Sequence, residues 1–172
     1  MADLIGVGVL IGILSDTHDR ADRTRIAVNL LRSEGADILV HCGDLATPEV
    51  VAECSVLPFY FVFGNHDSDM VSILQSAAAQ HGATCLGWGG EFTAAQKRIA
   101  VVHGHLTMDL RPLLDAQPDY LLSGHSHIAR DWREGSTRRI NPGALFRAGE
   151  FSVALLNIVA DEVRFLTVCD DM

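Results

Sequence analysis

Lysine is almost absent from this chain, because Lys97 is the only one among 172 residues. Schiff-base enzymes and phosphate-binding loops of the Gly-Lys-Ser/Thr type both depend on a lysine at a defined position, so neither class fits this sequence. Acidic residues outnumber basic ones, and the formal net charge is −9. Proteins that coat nucleic acid or an anionic membrane need a basic face, so both of those partners are disfavoured.

Cysteine is also scarce, with four residues and no C-x-x-C pair. The spacing of Cys42, Cys54, Cys85 and Cys169 does not match a structural zinc site. A chain of this length buries about 70% of the surface that its unfolded form exposes, so it needs no disulfide to hold a core. We therefore expect reduced thiols in a cytoplasmic protein.

No hydrophobic run is long enough to cross a bilayer. The apolar stretch Leu4–Leu14 has eleven residues, three of them glycine, whereas a membrane-spanning helix needs roughly 20. A secretory signal peptide begins with basic residues, but this segment carries Asp3 instead. The stretch therefore predicts a β-strand that ends at Leu14, and a protein with no membrane partner.

Several well-defined catalytic motifs are missing as well. Gly6-x-Gly8 with Gly12 lies inside the apolar run and opens no helix, which argues against a dinucleotide-binding fingerprint. Ser126 lies in Gly-His-Ser-His rather than Gly-x-Ser-x-Gly, so a nucleophile elbow is unsupported. The zinc-protease pattern His-Glu-x-x-His does not occur. The chemistry must therefore be sought in a different arrangement of polar residues.

Short apolar runs alternate with helical patterns in the first half of the chain. Apolar residues at helical spacing predict helices, and continuous β-favouring runs predict strands that are covered on both faces. The predicted strands are Val9–Leu14, Asp37–Val40 and Phe59–Phe63, and the predicted helices are Arg20–Glu34, Pro48–Cys54 and Ser68–His81, the last closed by Gly82. This alternation indicates a parallel sheet with right-handed crossovers.

The second half is richer in strands. Predicted strands are Ala83–Leu86, Lys97–Val102, Tyr120–Leu122, His127–Arg133, Arg138–Ile140, Ser152–Ile158 and Glu162–Val168, with one short helix at Met108–Ala116. The last two strands flank the turn Ala160-Asp161, which predicts a hairpin. So many strands exceed what one sheet holds comfortably. We therefore predict an α/β fold, a four-layer α/β/β/α sandwich of two mixed sheets flanked by helices, formed by residues 1–172 as a single domain.

Polar clusters follow the apolar runs, at the points where the predicted strands end. The clusters are Ser15–Asp19, His41–Asp44, Gly64–Asp67, His103–His105 and Ser123–His127. Ligands of open α/β sheets bind outside the carboxyl ends of the strands. We therefore expect the clusters to converge on one edge of the sheets.

The clusters together offer oxygen and nitrogen ligands without thiolate. They contain seven candidate ligands: Asp16, His18, Asp44, Asn65, His103, His125 and His127. Mixed oxygen and nitrogen donors suit Mn, Zn, Fe, Ni or Co better than a soft metal. Seven ligands are more than one tetrahedral ion uses, whereas two ions about 3.5–4 Å apart that share a carboxylate would use them all.

Ordinary structural roles are the alternative explanation for residues of these clusters. Asp16 and Asp19 follow a strand and could cap the next helix, and Asp44 could serve a turn. His41 is expected on a strand face rather than among the ligands, and His105 is equally consistent with support of the site and with simple exposure. The joint occurrence of the clusters favours metal binding over separate structural roles.

The clusters resemble, in order, the motifs of the calcineurin-like metallophosphoesterases. The matching residues are Asp16-x-His18, Gly43-Asp44, Gly64-Asn65-His66-Asp67, His103-Gly104 and Gly124-His125-Ser126-His127. The short chain is similar to the small bacterial and archaeal phosphodiesterase branch, which also resembles a retromer scaffold subunit. Asn141-Pro142-Gly143, after the last cluster, is similar to that branch too.

The resemblance implies a role for each motif residue. It places Asp16, His18 and His127 on one ion, Asn65, His103 and His125 on a second, and Asp44 between the two. It also makes His66 the general acid and Asp67 the acid that orients it. The implied cofactors are two divalent metal ions, with Mn favoured and Zn, Ni, Fe, Co or Mg as alternatives. A hydroxide bridging the ions would attack phosphorus.

These implications lead to a predicted function. We expect a binuclear metal-dependent phosphoesterase, more specifically a phosphodiesterase acting on a small phosphodiester substrate. A non-catalytic metal-binding scaffold on the same fold and a nuclease are the alternatives; the intact ligands and His66 disfavour the first, and the charge of −9 disfavours the second. A homodimer is left open. Arg138, Arg139 and Arg147 follow the last motif and either bind phosphate or face water, with water favoured.

Overall fold

The computed structural model of the protein describes residues 8–170. The interpretation of the apolar stretch before Gly8 lies outside this range. The strands are β1 Leu10–Leu14, β2 Ile38–His41, β3 Phe59–Phe61, β4 Thr84–Cys85, β5 Gly89–Ala94, β6 Lys97–Val102, β7 Tyr120–Leu122, β8 Arg130–Glu134, β9 Thr137–Asn141, β10 Ser152–Asn157 and β11 Glu162–Thr167. The α-helices are α1 Ala21–Ser33, α2 Pro48–Cys54, α3 Val71–His81 and α4 Thr107–Asp115, and a short 3-10 helix, Asn65–Met70, precedes α3.

The first sheet has six strands in the order β11-β10-β1-β2-β3-β4. Strands β1 to β4 run parallel, and β10 joins β1 antiparallel, so the sheet is mixed. Leu14 lies opposite His41, which in turn lies opposite Phe61. This register brings the carboxyl ends of β1, β2 and β3 to one edge of the sheet.

The second sheet has five strands in the order β5-β6-β7-β9-β8. Strands β6, β7 and β9 run parallel, whereas β5 and β8 pair antiparallel at the two edges. Val101 lies opposite Leu122, so β6 and β7 also end side by side. The predicted pair of mixed sheets is confirmed.

Three apolar layers hold the sandwich together. Alternation along β1 places Ile11 and Ile13 in the cluster between the two sheets, and Leu14 in the cluster beneath α1, α2 and α3. Helix α4 covers the outer face of the second sheet, where Leu110 packs against Val102. Each fully buried aliphatic side chain of this kind contributes about 1.5–3 kcal/mol. The order of the layers is therefore α/β/β/α, as predicted.

Strand β5 is absent from the sequence-based prediction. It forms a hairpin with β6 through Ala95 and Gln96, whose φ angles are 47° and 62°. Tight hairpin turns need such left-handed angles, which Asn-Gly normally supplies. Because Ala-Gln carries no such signal, the turn and the strand before it could not be recognised.

Two elements begin three residues later than predicted. The predicted strand His127–Arg133 begins only at Arg130, because His127 has a left-handed φ of 60° that an extended strand cannot accommodate. The predicted helix Ser68–His81 starts as a 3-10 helix and becomes α-helical at Val71. Its predicted end is confirmed, since Gly82 adopts φ 71°. Within residues 8–170, none of the helices has the length and apolar character that a bilayer crossing requires.

Candidate metal centre

The five polar clusters meet at one edge of the sandwich, where β1, β2, β3, β6 and β7 end. His127 Nε2 lies 3.1 Å from Asp16 Oδ1. Asp44 Oδ2 lies 3.3 Å from His18 Nε2 and 3.4 Å from His103 Nε2. Side chains far apart in the sequence therefore present their ligand atoms to one another.

Two carboxylates lie at the centre of this arrangement. Three sets of side chains have ligand atoms within 4.8 Å of one another: Asp16, His18 and His127; His18, Asp44 and His66; and Asp16, Asp44 and His103. Asp16 and Asp44 each belong to two of the sets. A carboxylate shared between neighbouring sets is the feature that a pair of close cations requires.

Asn65 and His125 lie at the border of the cluster. Asn65 Oδ1 is 3.1 Å from His103 Nε2. The His125 ring is 5.1 Å from the His103 ring, and its backbone N–H donates to Asp16 Oδ2 at 3.0 Å. The structure thus brings all seven predicted ligands to one edge, although the His125 imidazole is exposed and belongs to none of the three sets.

The backbone at the site is strained. Left-handed φ angles occur at Asp16 (54°), His18 (44°), Asp44 (60°), His125 (70°) and His127 (60°). Such a conformation in a residue other than glycine costs on the order of 1–3 kcal/mol, and it concentrates at functional sites. Five of the seven predicted ligands share this conformation, so orienting these side chains lowers the free energy of unfolding.

Hydrogen bonds between the loops after β1 and β2 hold this conformation. The Asp16 N–H donates to the Gly43 carbonyl and the His18 N–H to the Asp44 carbonyl, each at 3.0 Å. Asp16, His18 and Asp44 have left-handed φ angles and are themselves partners in these bonds. Neither loop can therefore relax without breaking its link to the other. The two carboxylate-bearing loops are therefore positioned as one unit.

Close approach of the loops explains two of the motif glycines. A Cβ atom on Gly64 would lie 2.0 Å from Asp44 Oδ1, and one on Gly124 would lie 2.0 Å from Ser15 Oγ and 2.6 Å from Asp16 Oδ2. Any side chain at either position would displace a carboxylate of the site. The φ angles of these two glycines lie outside the left-handed region, so backbone conformation does not require glycine there. The close contact with Asp44 and Asp16 does.

The charges of the cluster compensate one another. Burial raises the pKa values of Asp16 and Asp44, but the nearby His18 and His103 imidazoles outweigh it and hold both pKa values below the usual range. Burial lowers the pKa of His18, whereas the Asp16 and Asp44 carboxylates raise it to about 9. The pKa of His103 is raised for the same reason. Protons on the imidazoles thus occupy positions that a cation could take.

Two ligand atoms of the cluster form no hydrogen bond, although groups of opposite charge lie close to both. Asp16 Oδ1 and His18 Nε2 are buried and accept or donate no hydrogen bond within the described range; His127 Nε2 at 3.1 Å and Asp44 Oδ2 at 3.3 Å make ion-pair contacts with them instead. A buried polar atom without a hydrogen bond is destabilising. A divalent cation between oxygen and nitrogen donors would satisfy both atoms, so the residues present fit a metal centre.

Two of the histidines are oriented by backbone carbonyls. His103 Nδ1 donates to the Cys42 carbonyl at 2.8 Å, and His127 Nδ1 donates to the Arg147 carbonyl at 3.2 Å. Each bond places the proton on Nδ1 and leaves Nε2 directed at a carboxylate. Metal-binding histidines are typically oriented in this way.

His41 supports the site without joining it. Its Nδ1 accepts from the Gly43 N–H at 3.1 Å, so its Nε2 carries the proton and donates to Thr17 Oγ1, also at 3.1 Å. Burial lowers its pKa to about 3, which keeps the ring neutral. Through Thr17 and Gly43, His41 therefore links the loop after β1 to the loop after β2.

His66 and Asp67 have different environments. The His66 N–H donates to Asp44 Oδ1 at 2.9 Å, and its exposed ring lies 4.8 Å from that of His18. The buried Asp67 carboxylate accepts backbone N–H groups instead, from Asp44, Leu45, Ala46 and Gly64 at 2.8–3.3 Å. Within residues 8–170 it makes no hydrogen bond to the His66 ring. The predicted orienting role of Asp67 thus stays a prediction, whereas its contacts hold the Asp44 loop.

A surface cavity of about 480 Å³ opens over the cluster. Besides predicted ligands and His66, it is lined by Asp19, Arg20, Ala46, Phe146 and Arg147. Nothing in the local sequence distinguishes Arg20 or Phe146, because they reach the cavity only through the packing of α1 against the loop after β9. Sequence reasoning missed both residues and left the role of Arg147 open.

The model of the calcineurin-like phosphoesterase superfamily domain matches residues 9–161 of the chain. The chain belongs to this superfamily. The predicted resemblance is thereby confirmed, and the protein belongs to the class of hydrolases that act on phosphate esters. In this superfamily member the match includes all five polar clusters.

Known proteins similar to this phosphoesterase match most of its length. Phosphodiesterase MJ0936 of Methanocaldococcus jannaschii is 24% identical over 159 residues, which are 90% of this chain and 96% of that protein. The structure of an archaeal phosphodiesterase superposes with a TM-score of 0.84 at 22% identity, covering 92% of this chain and 99% of the other. Vps29 of Entamoeba histolytica has a TM-score of 0.65 at 18% identity, covering 93% and 98%. These structures show a common fold.

Proposed function

We propose that this superfamily member is a binuclear metal-dependent phosphodiesterase that acts on small substrates. The observation that carries the proposal is the pair of buried carboxylates, Asp16 and Asp44, each shared between neighbouring sets of ligand atoms. The buried ligand atoms Asp16 Oδ1 and His18 Nε2, which make no hydrogen bond, support it further. A surface used only for protein contacts has no need of buried, strained donors without hydrogen bonds.

The proposal assigns the ligands as follows. Asp16, His18 and His127 would hold one ion, Asn65, His103 and His125 would hold the other, and Asp44 would be shared by both. Manganese is the ion that we propose, and zinc, nickel, iron, cobalt or magnesium are alternatives, since oxygen and nitrogen donors without thiolate suit all of them. When bound, two close divalent ions lower the pKa of a coordinated water and neutralise charge on the phosphoryl group.

His66 is the proposed general acid. Its ring is exposed in the cavity wall beside His18, and its backbone is held to Asp44. A protonated imidazole at this position donates to the leaving alkoxide, a step typically worth 10²–10⁴-fold. Asp67 acts indirectly, since it fixes the loop that carries Asp44.

The preference for a diester rests on two similarities. Both the relative from M. jannaschii and the archaeal structure are named phosphodiesterases. A small substrate is favoured over a nucleic acid because the chain carries a formal charge of −9. All seven proposed ligands lie at the same edge of the sandwich, which favours turnover over a purely structural role.

The test compares a p-nitrophenyl phosphodiester with the corresponding monoester. The protein is stripped with a chelator and then supplied with Mn²⁺. We expect the metal to restore diester hydrolysis and Asp44→Asn to abolish it together with metal uptake, because the amide cannot supply an anionic bridge. Metal content by elemental analysis and the melting temperature accompany each assay.

Three results would count against the proposal. Full activity of Asp44→Asn would remove the shared carboxylate from the mechanism. Turnover of the monoester alone would keep the metal centre and reject the diester preference. Metal binding without turnover of either ester would favour the scaffold function.

A further inference from the structure

The loop after β9 forms one wall of the cavity and is tied to the predicted ligands. The Phe146 ring lies 4.9 Å from the His18 ring, and the Arg147 carbonyl accepts from His127 Nδ1 at 3.2 Å. The preceding Leu145 N–H donates to the carbonyl of Asp16 at 3.3 Å. Phe146 and Arg147 therefore keep a defined position relative to the metal centre.

Two guanidinium groups rest on the Phe146 ring. The Cζ atoms of Arg20 and Arg147 lie 5.1 and 5.0 Å from the ring centroid. A cation within about 6 Å of a ring face is attracted to it, so the aromatic ring restrains both side chains. Both arginines line the same cavity as His66, one aromatic ring away from His18.

These guanidinium charges are poorly neutralised. Within residues 8–170, Arg147 has no carboxylate at ion-pair distance, and Arg20 has only the adjacent Asp19 at 3.8 Å, with both of those side chains more than half exposed. Most other arginines form shorter ion pairs, such as Arg23 with a carboxylate at 2.7 Å. In a protein of net charge −9, unneutralised cations at the mouth of a cavity mark a place for an anion.

Resting on the proposed phosphodiesterase function, we propose that Arg20 and Arg147 recognise an anionic group on the substrate away from the scissile phosphorus. The guanidinium fork matches a carboxylate or a phosphate in two-bond geometry. The scissile group belongs among Asp16, Asp44 and the histidines, whereas the arginines rest on Phe146 outside that set. The substrate class is thus a small phosphodiester that carries a second acidic group.

The first test uses four p-nitrophenyl phosphodiesters with the same leaving group. Their second substituents are choline, ethyl, 2-carboxyethyl and 2-phosphoethyl, and the enzyme is loaded with Mn²⁺. We expect kcat/KM to rise from the cationic to the anionic substituents. Arg147→Gln should lower kcat/KM for an anionic substituent about tenfold or more relative to kcat/KM for the ethyl diester, the effect of losing a charge-assisted hydrogen bond. The two anionic esters separate carboxylate from phosphate recognition.

Arg111→Gln is the matched control. It removes the same charge from α4, where the Arg111 side chain is 66% exposed and paired with Asp115. We expect its preference for anionic over neutral substituents, measured by kcat/KM, to equal that of the wild type. If Arg147→Gln does not fold, Arg20→Gln and Arg147→Lys replace it. Equal losses with all four esters would overturn the proposal, because the arginines would then act on the scissile group or on the fold.

A binding measurement separates this inference from the proposed function. Calorimetric titration of the Mn²⁺-loaded protein compares 3-phosphonopropionate with ethylphosphonate, and neither compound needs to be hydrolysed. Tighter binding of the carboxylate-bearing compound, lost in Arg147→Gln, supports the inference even if no ester is turned over. Equal affinities would refute it even if the enzyme proves to be a phosphodiesterase.

Discussion

At the residue scale, the buried carboxylates Asp16 and Asp44 dominate the chemistry of the candidate metal centre. Both are buried among imidazoles that hold their pKa values low, so they stay ionised although they are buried. Such buried charge is tolerated only when it is compensated. Protonated His18 and His103 supply the compensation without metal, and cations would replace those protons on binding.

His66 carries the residue-scale prediction. We expect His66→Asn to lower turnover of a dialkyl phosphodiester by about 10²–10⁴-fold, because an alkoxide leaving group needs a proton. A p-nitrophenyl diester should lose far less, since its leaving group departs without one. The measurement is kcat for both substrates at equal metal content. Equal losses with the two leaving groups would show that His66 binds substrate or supports His18 instead of donating a proton.

At the scale of elements, loops rather than strands carry the site. The loop after β2 receives its shape from Asp67, which lies in the 3-10 helix after β3, and the loop after β1 is bonded to it through the Asp44 carbonyl. The loops after β1 and β2 and the 3-10 helix after β3 thus stabilise one another's strained backbone. This arrangement explains why a left-handed conformation persists at so many polar residues.

The β5–β6 turn supplies an element-scale prediction. Ala95 is exposed with φ 47°, whereas Ala116, exposed after α4, has φ −73°. We expect Ala95→Gly to raise the free energy of unfolding by up to about 1 kcal/mol, because the left-handed conformation costs alanine about 1–2 kcal/mol, part of which glycine loses again as entropy.

Ala116→Gly is the control for this turn. It changes the same atoms where φ is ordinary, so it should lower the free energy of unfolding by about 0.5–1 kcal/mol. Urea unfolding of both variants gives the comparison. A destabilised Ala95→Gly would mean that the turn is not strained by its alanine.

At the scale of the whole molecule, one charged cluster joins the two sheets. Asp161 lies in the β10–β11 turn of the first sheet and accepts the Tyr120 hydroxyl of the second at 2.7 Å. It also pairs with Arg138 at 2.8 Å and Arg133 at 2.6 Å, both from the second sheet. These contacts lie beside the start of β7, whereas the metal centre lies beyond its end.

This cluster predicts a pH dependence of stability. Burial raises the pKa of Asp161, but the Tyr120 hydroxyl and Arg138 lower it to about 2. A depressed pKa stabilises the folded state above the unfolded value of about 3.9, and the effect is lost as the pH falls towards 2. Wild type should therefore exceed Asp161→Asn in free energy of unfolding at pH 6, and the difference should shrink between pH 4 and 2. A constant difference across urea titrations at these pH values would contradict the assignment.

The sequence by itself predicted most of the elements and a candidate ligand set. Apolar periodicity is local, so α2 is predicted with its observed bounds and the β10–β11 hairpin is found. The ligands could be named because parallel strands end at one edge and each polar cluster directly follows a strand. These conclusions depend on neighbouring residues alone.

The tertiary structure decided everything that depends on contacts between distant residues. Only packing shows that Asp67 binds the Asp44 loop, that the Arg147 carbonyl orients His127, and that Arg20 reaches Phe146. The Ala95-Gln96 turn also escaped prediction, because pairing of β5 with β6 imposes its backbone angles. Local pattern therefore names the candidate ligands, whereas long-range packing sets their orientation, their charges and the wall of the cavity beside them.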